Sequence, residues 1–161
     1  MRIDESPSAA LAPCENTQTS ADNAYKTRIL ETAATDPVLT SRLHYLGFRA
    51  DSERVIAAAD VVVCSSNFES YGMVNIEAMA SGKPVVSTNK GGPSETVADG
   101  VTGYLVPPGD AAGLALQVIA LLENAALRRR MGAAGRARVE QLFSVKSMAA
   151  QYMTIVERVL K

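Results

Sequence analysis

The stretch Phe68-Glu69-Ser70-Tyr71-Gly72-Met73-Val74-Asn75-Ile76-Glu77-Ala78-Met79-Ala80-Ser81-Gly82-Lys83-Pro84-Val85-Val86 decides how this chain is read. Gly72 stands where a loop can turn into a helix, Gly82 and Pro84 stop that helix, and Pro84-Val85-Val86-Ser87-Thr88 continues as an apolar, β-branched strand. Glu69 precedes the turn and Glu77 comes eight positions later, so a helix starting near Tyr71 leaves the first carboxylate in a loop and carries the second. A helix opened by glycine also presents unpaired amides and the positive end of its dipole.

Upstream, Asp60-Val61-Val62-Val63-Cys64 is continuously apolar after its aspartate, the pattern of a strand covered on both faces inside a parallel sheet. Downstream, Gly91-Gly92-Pro93-Ser94-Glu95 opens a short helix ending near Ala98, and Gly103-Tyr104-Leu105-Val106 forms a third strand bounded by Gly100 and Pro107-Pro108. Leu43-His44-Tyr45-Leu46-Gly47 reads as a further short strand, followed by a helical segment from Ser52 through Val55, Ile56 and Ala59. Strand and helix in turn predict an α/β domain, a Rossmann-like parallel sheet with flanking helices.

The ends are simpler. Residues 1–22 have no apolar periodicity and are expected to be irregular or disordered, which leaves 23–161 as the folded domain. Asp22 is expected to cap a helix over Asn23 to Ala34. Asp110 caps a helix with Leu114, Val118, Leu121 and Leu122 on one face, and helices follow over Leu127 to Leu142 and Val145 to Leu160. The last bears Met148, Tyr152, Ile155, Val156 and Val159 as a stripe that needs cover.

The chain has 161 residues, 47% of them hydrophobic, enough for one packed core. A net charge of -1 gives no broad positive field, so nucleic acid is excluded as the expected partner. Cys14 and Cys64 lack metal-ligand spacing and are expected as free thiols, Cys64 as a small buried hydrophobe. The start Met1-Arg2-Ile3-Asp4-Glu5-Ser6-Pro7 lacks a secretory apolar run, and no window reaches the length of a membrane span, so the expected location is cytoplasmic. Arg128-Arg129-Arg130, Arg136 and Arg138, with Glu123 and Glu140 nearby, read as a solvated helix face. His44 carries no expected role, and Tyr104 reads as core.

Ligands of open parallel sheets lie beyond the carboxyl ends of the strands. There the loop after Cys64 offers Ser65, Ser66, Glu69 and Gly72, and the loop after Thr88 offers Asn89, Lys90, Gly91, Gly92 and Glu95. A diphosphate suits the helix start at Gly72, Met73 and Val74, with Tyr71 beside it; Glu77 suits vicinal ribose hydroxyls and Glu69 the hydroxyls of a sugar. Lys90, Gly91 and Gly92 are candidates for diphosphate or sugar contacts. Taken alone, two carboxylates at a helix start are more often plain surface charges, and Gly91-Gly92 is more often a plain turn.

Together these residues resemble the retaining glycosyltransferases of the GT-B fold, especially glycosyltransferase family 4 (group 1). The resemblance rests on Glu69 and Glu77 at E-x7-E spacing, on Glu77-Ala78-Met79-Ala80-Ser81-Gly82-Lys83-Pro84-Val85-Val86, on Gly91-Gly92-Pro93-Ser94-Glu95, and on the segment from Asp99 to Asp110. It continues weakly through Met131-Gly132-Ala133-Ala134-Gly135-Arg136 to Phe143-Ser144. It implies the carboxyl-terminal, donor-binding half of a GT-B fold, truncated and without the acceptor domain. It also implies transfer of a glycosyl group from a nucleotide-sugar donor, with retention, and no metal or other cofactor. Glu69 is the residue it makes catalytic, through the transferred sugar's hydroxyls and not as a nucleophile. The family's early Arg/Lys pair, which neutralises the diphosphate, is not found in the first 22 residues, and Lys90 is the nearest candidate substitute. A separate chain supplying the acceptor domain is then an expected partner, and a donor-binding subunit or inactive fragment is the alternative.

Overall fold

The computed structural model describes residues 20–160, with side chains from residue 24 onward. The expected irregular segment therefore falls largely outside the described residues. At its end the expectation is corrected, because helix α1 spans Ser20–Ala34 and places Asp22 inside its first turn instead of at its cap.

The chain divides into two compact units, residues 1–50 and 51–161. In the first, α1 is followed by α2 (Pro37–Arg42), whose start Asp36 caps by accepting from Val38 N at 2.8 Å. Thr40 Oγ1 donates to Ala33 O at 3.0 Å and ties the two helices together. The strand expected over Leu43 to Gly47 does not form. A strand needs a neighbour to receive its amides and carbonyls, and no described residue pairs with this one. Tyr45 instead lies under the Lys26 ammonium, 4.4 Å from the ring centre.

The second unit holds strands β1 (Val62–Cys64), β2 (Val85–Thr88) and β3 (Gly103–Val106) in the order β1-β2-β3, all parallel. Val62 faces Val85, and Val85 faces Gly103. Alternation along β2 builds the core on both faces. Val85 points into a cluster with Ile56, Ile76, Met79, Val97 and Val139, while Val86 points into another with Leu121 and Met131. The first cluster draws on α3 (Ser52–Ala58), α4 (Met73–Ala80) and α7 (Ala125–Leu142); the second draws on α6 (Ala111–Glu123) and again on α7. Tyr104 packs against the second cluster, as expected of a core residue.

Cover on both faces, expected of residues 60–64, holds for β2 and not for β1. Asp60 and Val61 precede the strand, and Val63 is 42% exposed. The physical reason is position: β2 is central and wholly buried, whereas β1 is the sheet's edge among the described residues. Between β2 and β3 lies the short α5 (Pro93–Thr96), and α8 (Val145–Val159) ends the described chain with no buried residue. No single described helix is long and apolar enough to cross a membrane.

The arginines expected on a solvated face divide into two uses. Arg136 pairs with Glu140 at 3.0 Å in the open. Arg128 is spent on the carbonyls of Leu121 and Leu122 at the end of α6 and lies 3.6 Å from Asp60. Arg138 donates to Glu95 O and Thr96 O at 2.8 and 2.9 Å, closing the end of α5. A guanidinium fork serves orphaned helix carbonyls well, which is why these two are half-buried and not free in solvent.

Candidate functional site

The sheet directs the carboxyl ends of β1 and β2 toward two loops, and these loops are joined by backbone. Glu69 N donates to Lys90 O at 3.3 Å, and Gly92 N donates to Glu69 O at 2.8 Å, so Glu69 and Gly91 form one parallel bridge beyond the strands. The approach is so close that a Cβ on Gly91 would lie 2.1 Å from Glu69 O, and one on Gly92 would lie 2.3 Å from Tyr71 Cα. Both glycines are thus explained by contact between the loops. Gly92 has also already committed its amide.

The first loop turns into α4 at Gly72, which adopts φ +82 as the N-cap. That left-handed backbone is open to glycine and strained for residues with a Cβ. Gly72 O accepts from Asn75 N and Ile76 N, while the amides of Met73 and Val74 find no acceptor among the described residues. The Glu69 Cγ lies 3.6 Å from the point a Gly72 Cβ would occupy, so its side chain borders this helix start.

Along α4, Asn75, Ile76, Ala78 and Met79 are buried, whereas Met73, Glu77 and Ala80 recur on the exposed face. Glu69 is half-buried and Glu77 exposed, and neither carboxylate has an ion-pair or hydrogen-bond partner among the described residues. Tyr71 and Lys90 are exposed, Val74 is half-buried, and Lys90 is the cation of the two loops. The structure therefore brings Glu69, Tyr71, Gly72, Met73, Val74, Lys90, Gly91 and Gly92 to one end of the sheet, with Glu77 one turn further along α4.

Asn75 was missed by the sequence reading. It is fully buried, its Nδ2 donates to Ser87 Oγ at 3.1 Å, and its Oδ1 has no partner. An unpaired buried oxygen costs about 1–3 kcal/mol. The available signal was position, since residue 75 shares the core face of the helix with Ile76 and Met79. Nearby, Thr88 Oγ1 donates to Ser66 O at 2.6 Å and links the end of β2 to the loop after β1. Cys64 is buried as expected, its thiol 3.8 Å from Ser66 Oγ.

Three concavities lie away from these loops. One of about 470 Å³ belongs to the first unit and is lined by Tyr25, Ile29, Leu30, His44 and Tyr45 among others. Another, of about 240 Å³, sits at the amino ends of β1 and β2, near Asp60, Lys83 and Arg129. Neither includes Glu69 or Glu77. At these loops Phe68, Tyr71 and Met73 are exposed. No group of three or more His, Cys, Asp or Glu side chains converges among the described residues.

A parallel sheet with helices on both faces and a glycine-started helix at its carboxyl end defines a Rossmann-like α/β protein. Residues 27–138 match the family Glycosyl transferases group 1, and the chain belongs to that family. It is 37% identical over 123 residues to the N-acetyl-alpha-D-glucosaminyl L-malate synthase of Bacillus anthracis, covering 76% of this chain and 32% of that protein. Anabaena Alr3699/HepE, solved in complex with UDP-glucose, superposes with TM-score 0.78 at 31% identity, covering 86% of this chain and 38% of the other. The C-terminal domain of the group 1 family protein LpcC from Francisella tularensis gives TM-score 0.71 at 29% identity, covering 79% and 66%. The chain spans about a third of the length of the curated relative.

Proposed function

We propose that this chain is the donor-binding portion of a retaining group 1 glycosyltransferase, which transfers a glycosyl group from a nucleotide sugar to an acceptor. The observation that carries the reading is the start of α4: Gly72 at φ +82, two uncommitted amides, and Glu69 folded beside it. That arrangement suits a diphosphate, whose negative charge meets the helix dipole and the free N–H groups. The neighbour solved with UDP-glucose supports the same ligand class.

In this reading the donor diphosphate rests at Met73 and Val74, with Tyr71 and Lys90 alongside. Glu69 accepts from hydroxyls of the sugar, and Glu77 accepts from the ribose diol. Transfer breaks the bond between the anomeric carbon and the diphosphate oxygen. The acceptor oxygen forms its bond on the face the diphosphate leaves, and its proton passes to a leaving-group oxygen. The protein's part is to stabilise charge growing on the diphosphate and to orient the sugar. No residue is needed as nucleophile.

Calorimetric titration with UDP and UDP-glucose, together with a transfer assay, tests the proposal. Binding with Kd in the micromolar range is expected, and Glu69→Ala should weaken UDP-glucose more than UDP. Equal losses for both ligands reject the sugar contact, and no binding of either rejects the site.

A second reading, binding without turnover, is favoured by charge. Lys90 is the cation of the two loops, and it is exposed. A second polypeptide bringing the acceptor domain and further cations would then complete the enzyme. Transfer by the chain alone would reject this alternative.

A further inference from the structure

Asn75 sits where a leucine would serve the core better. Its neighbours Ile76, Ala78 and Met79 are all buried, it is itself fully buried, and its Oδ1 is left without a partner among the described residues. Orphaned buried oxygens are rare enough to need a reason. Helical side chains lean toward the N-terminus, and here that brings Nδ2 to 3.0 Å from the point where a Gly72 Cβ would stand. The amide thus lies directly beneath the N-cap glycine.

From there polar contacts run outward. Asn75 Nδ2 donates to Ser87 Oγ in β2 at 3.1 Å, Ser87 is followed by Thr88, and Thr88 Oγ1 donates to Ser66 O at 2.6 Å. The path joins the first turn of α4, the end of β2 and the loop after β1, which are the elements that frame the uncommitted amides.

We infer that Asn75 is a positioning residue for the donor diphosphate. Through Ser87 it fixes the start of α4 against the carboxyl end of β2, so that the Met73 and Val74 amides meet the ligand in a set place. Its unpaired oxygen is the cost in stability of that placement, a local inconsistency of the kind found at functional sites. This rests on the donor-site reading above.

The experiment is calorimetric titration of UDP into the wild-type chain, Asn75→Leu, Ser87→Ala and the double variant, with thermal unfolding of each. Asn75→Leu should unfold at the same or a higher temperature yet bind UDP about tenfold more weakly. Ser87→Ala should lose affinity in the same direction, and the double variant should be no worse than the poorer single, since both act through one contact. Should Asn75→Leu not fold, Ser87→Ala carries the test, because it removes the hydrogen bond without adding volume. Unchanged affinity in folded variants beside a wild type that binds overturns the positioning role alone. So does an affinity loss that merely follows a loss of stability. A wild type that binds no UDP overturns the donor site and this role with it.

Discussion

Helices α4 and α8 carry opposite lessons. Helix α4 has eight residues, four of them buried, and it is gripped from several sides. Helix α8 has fifteen residues and none buried, although Met148, Tyr152, Ile155 and Val159 align along it. A short helix in a sheet crossover is placed by what surrounds it. A long amphipathic helix declares a face that wants cover without naming what covers it.

The sharpest way to break this contrast is a cavity in α4. Met79 is fully buried between Val85 and Val139, so Met79→Ala should destabilise the second unit by about 2–5 kcal/mol in urea unfolding. A smaller loss, near that of a surface change, would place α4 on the same footing as α8. Next comes Gly132, where an added Cβ would lie 2.0 Å from Gly82 O; Gly132→Ala should cost about 1–3 kcal/mol, read in the same assay.

Glu77→Ala separates site from scaffold. Its side chain is exposed, so the unfolding midpoint should hold while UDP binding weakens by about 1–3 kcal/mol in calorimetry. Unchanged affinity would remove the ribose assignment. The smallest effect belongs to α8: Ile155, 59% exposed, replaced by lysine should shift stability by no more than about 0.5 kcal/mol. A larger loss would mean that the stripe is covered in solution, which sedimentation of both forms would reveal.

What could be read in advance follows the same division. Gly72, Gly82 and Asp110 mark their helix boundaries through local backbone chemistry, and each does in the structure what its residue type predicts. The strand over Leu43 to Gly47 failed because a strand depends on a neighbour, which is not a local property. Cover of residues 60–64 was overstated for the same reason, since composition does not distinguish an edge from a centre. The role of Arg138, the approach of Arg128 to Asp60 and the burial of Asn75 arise from contacts distant in sequence. At the site, the glycines could be found from sequence, yet the tightest neighbour of Gly91 and of Gly92 is the companion loop.

The seating of α7 on α4 reaches beyond packing. Just past its far end the Gly82 carbonyl abuts Gly132 of α7, and at its near end Gly72 and Asn75 lean on Pro93 and Ser87. Held by close contacts near both tips, the helix has the build of an anvil. In the proposed donor site, closing around a phosphate would then fall to the groups that face this helix start.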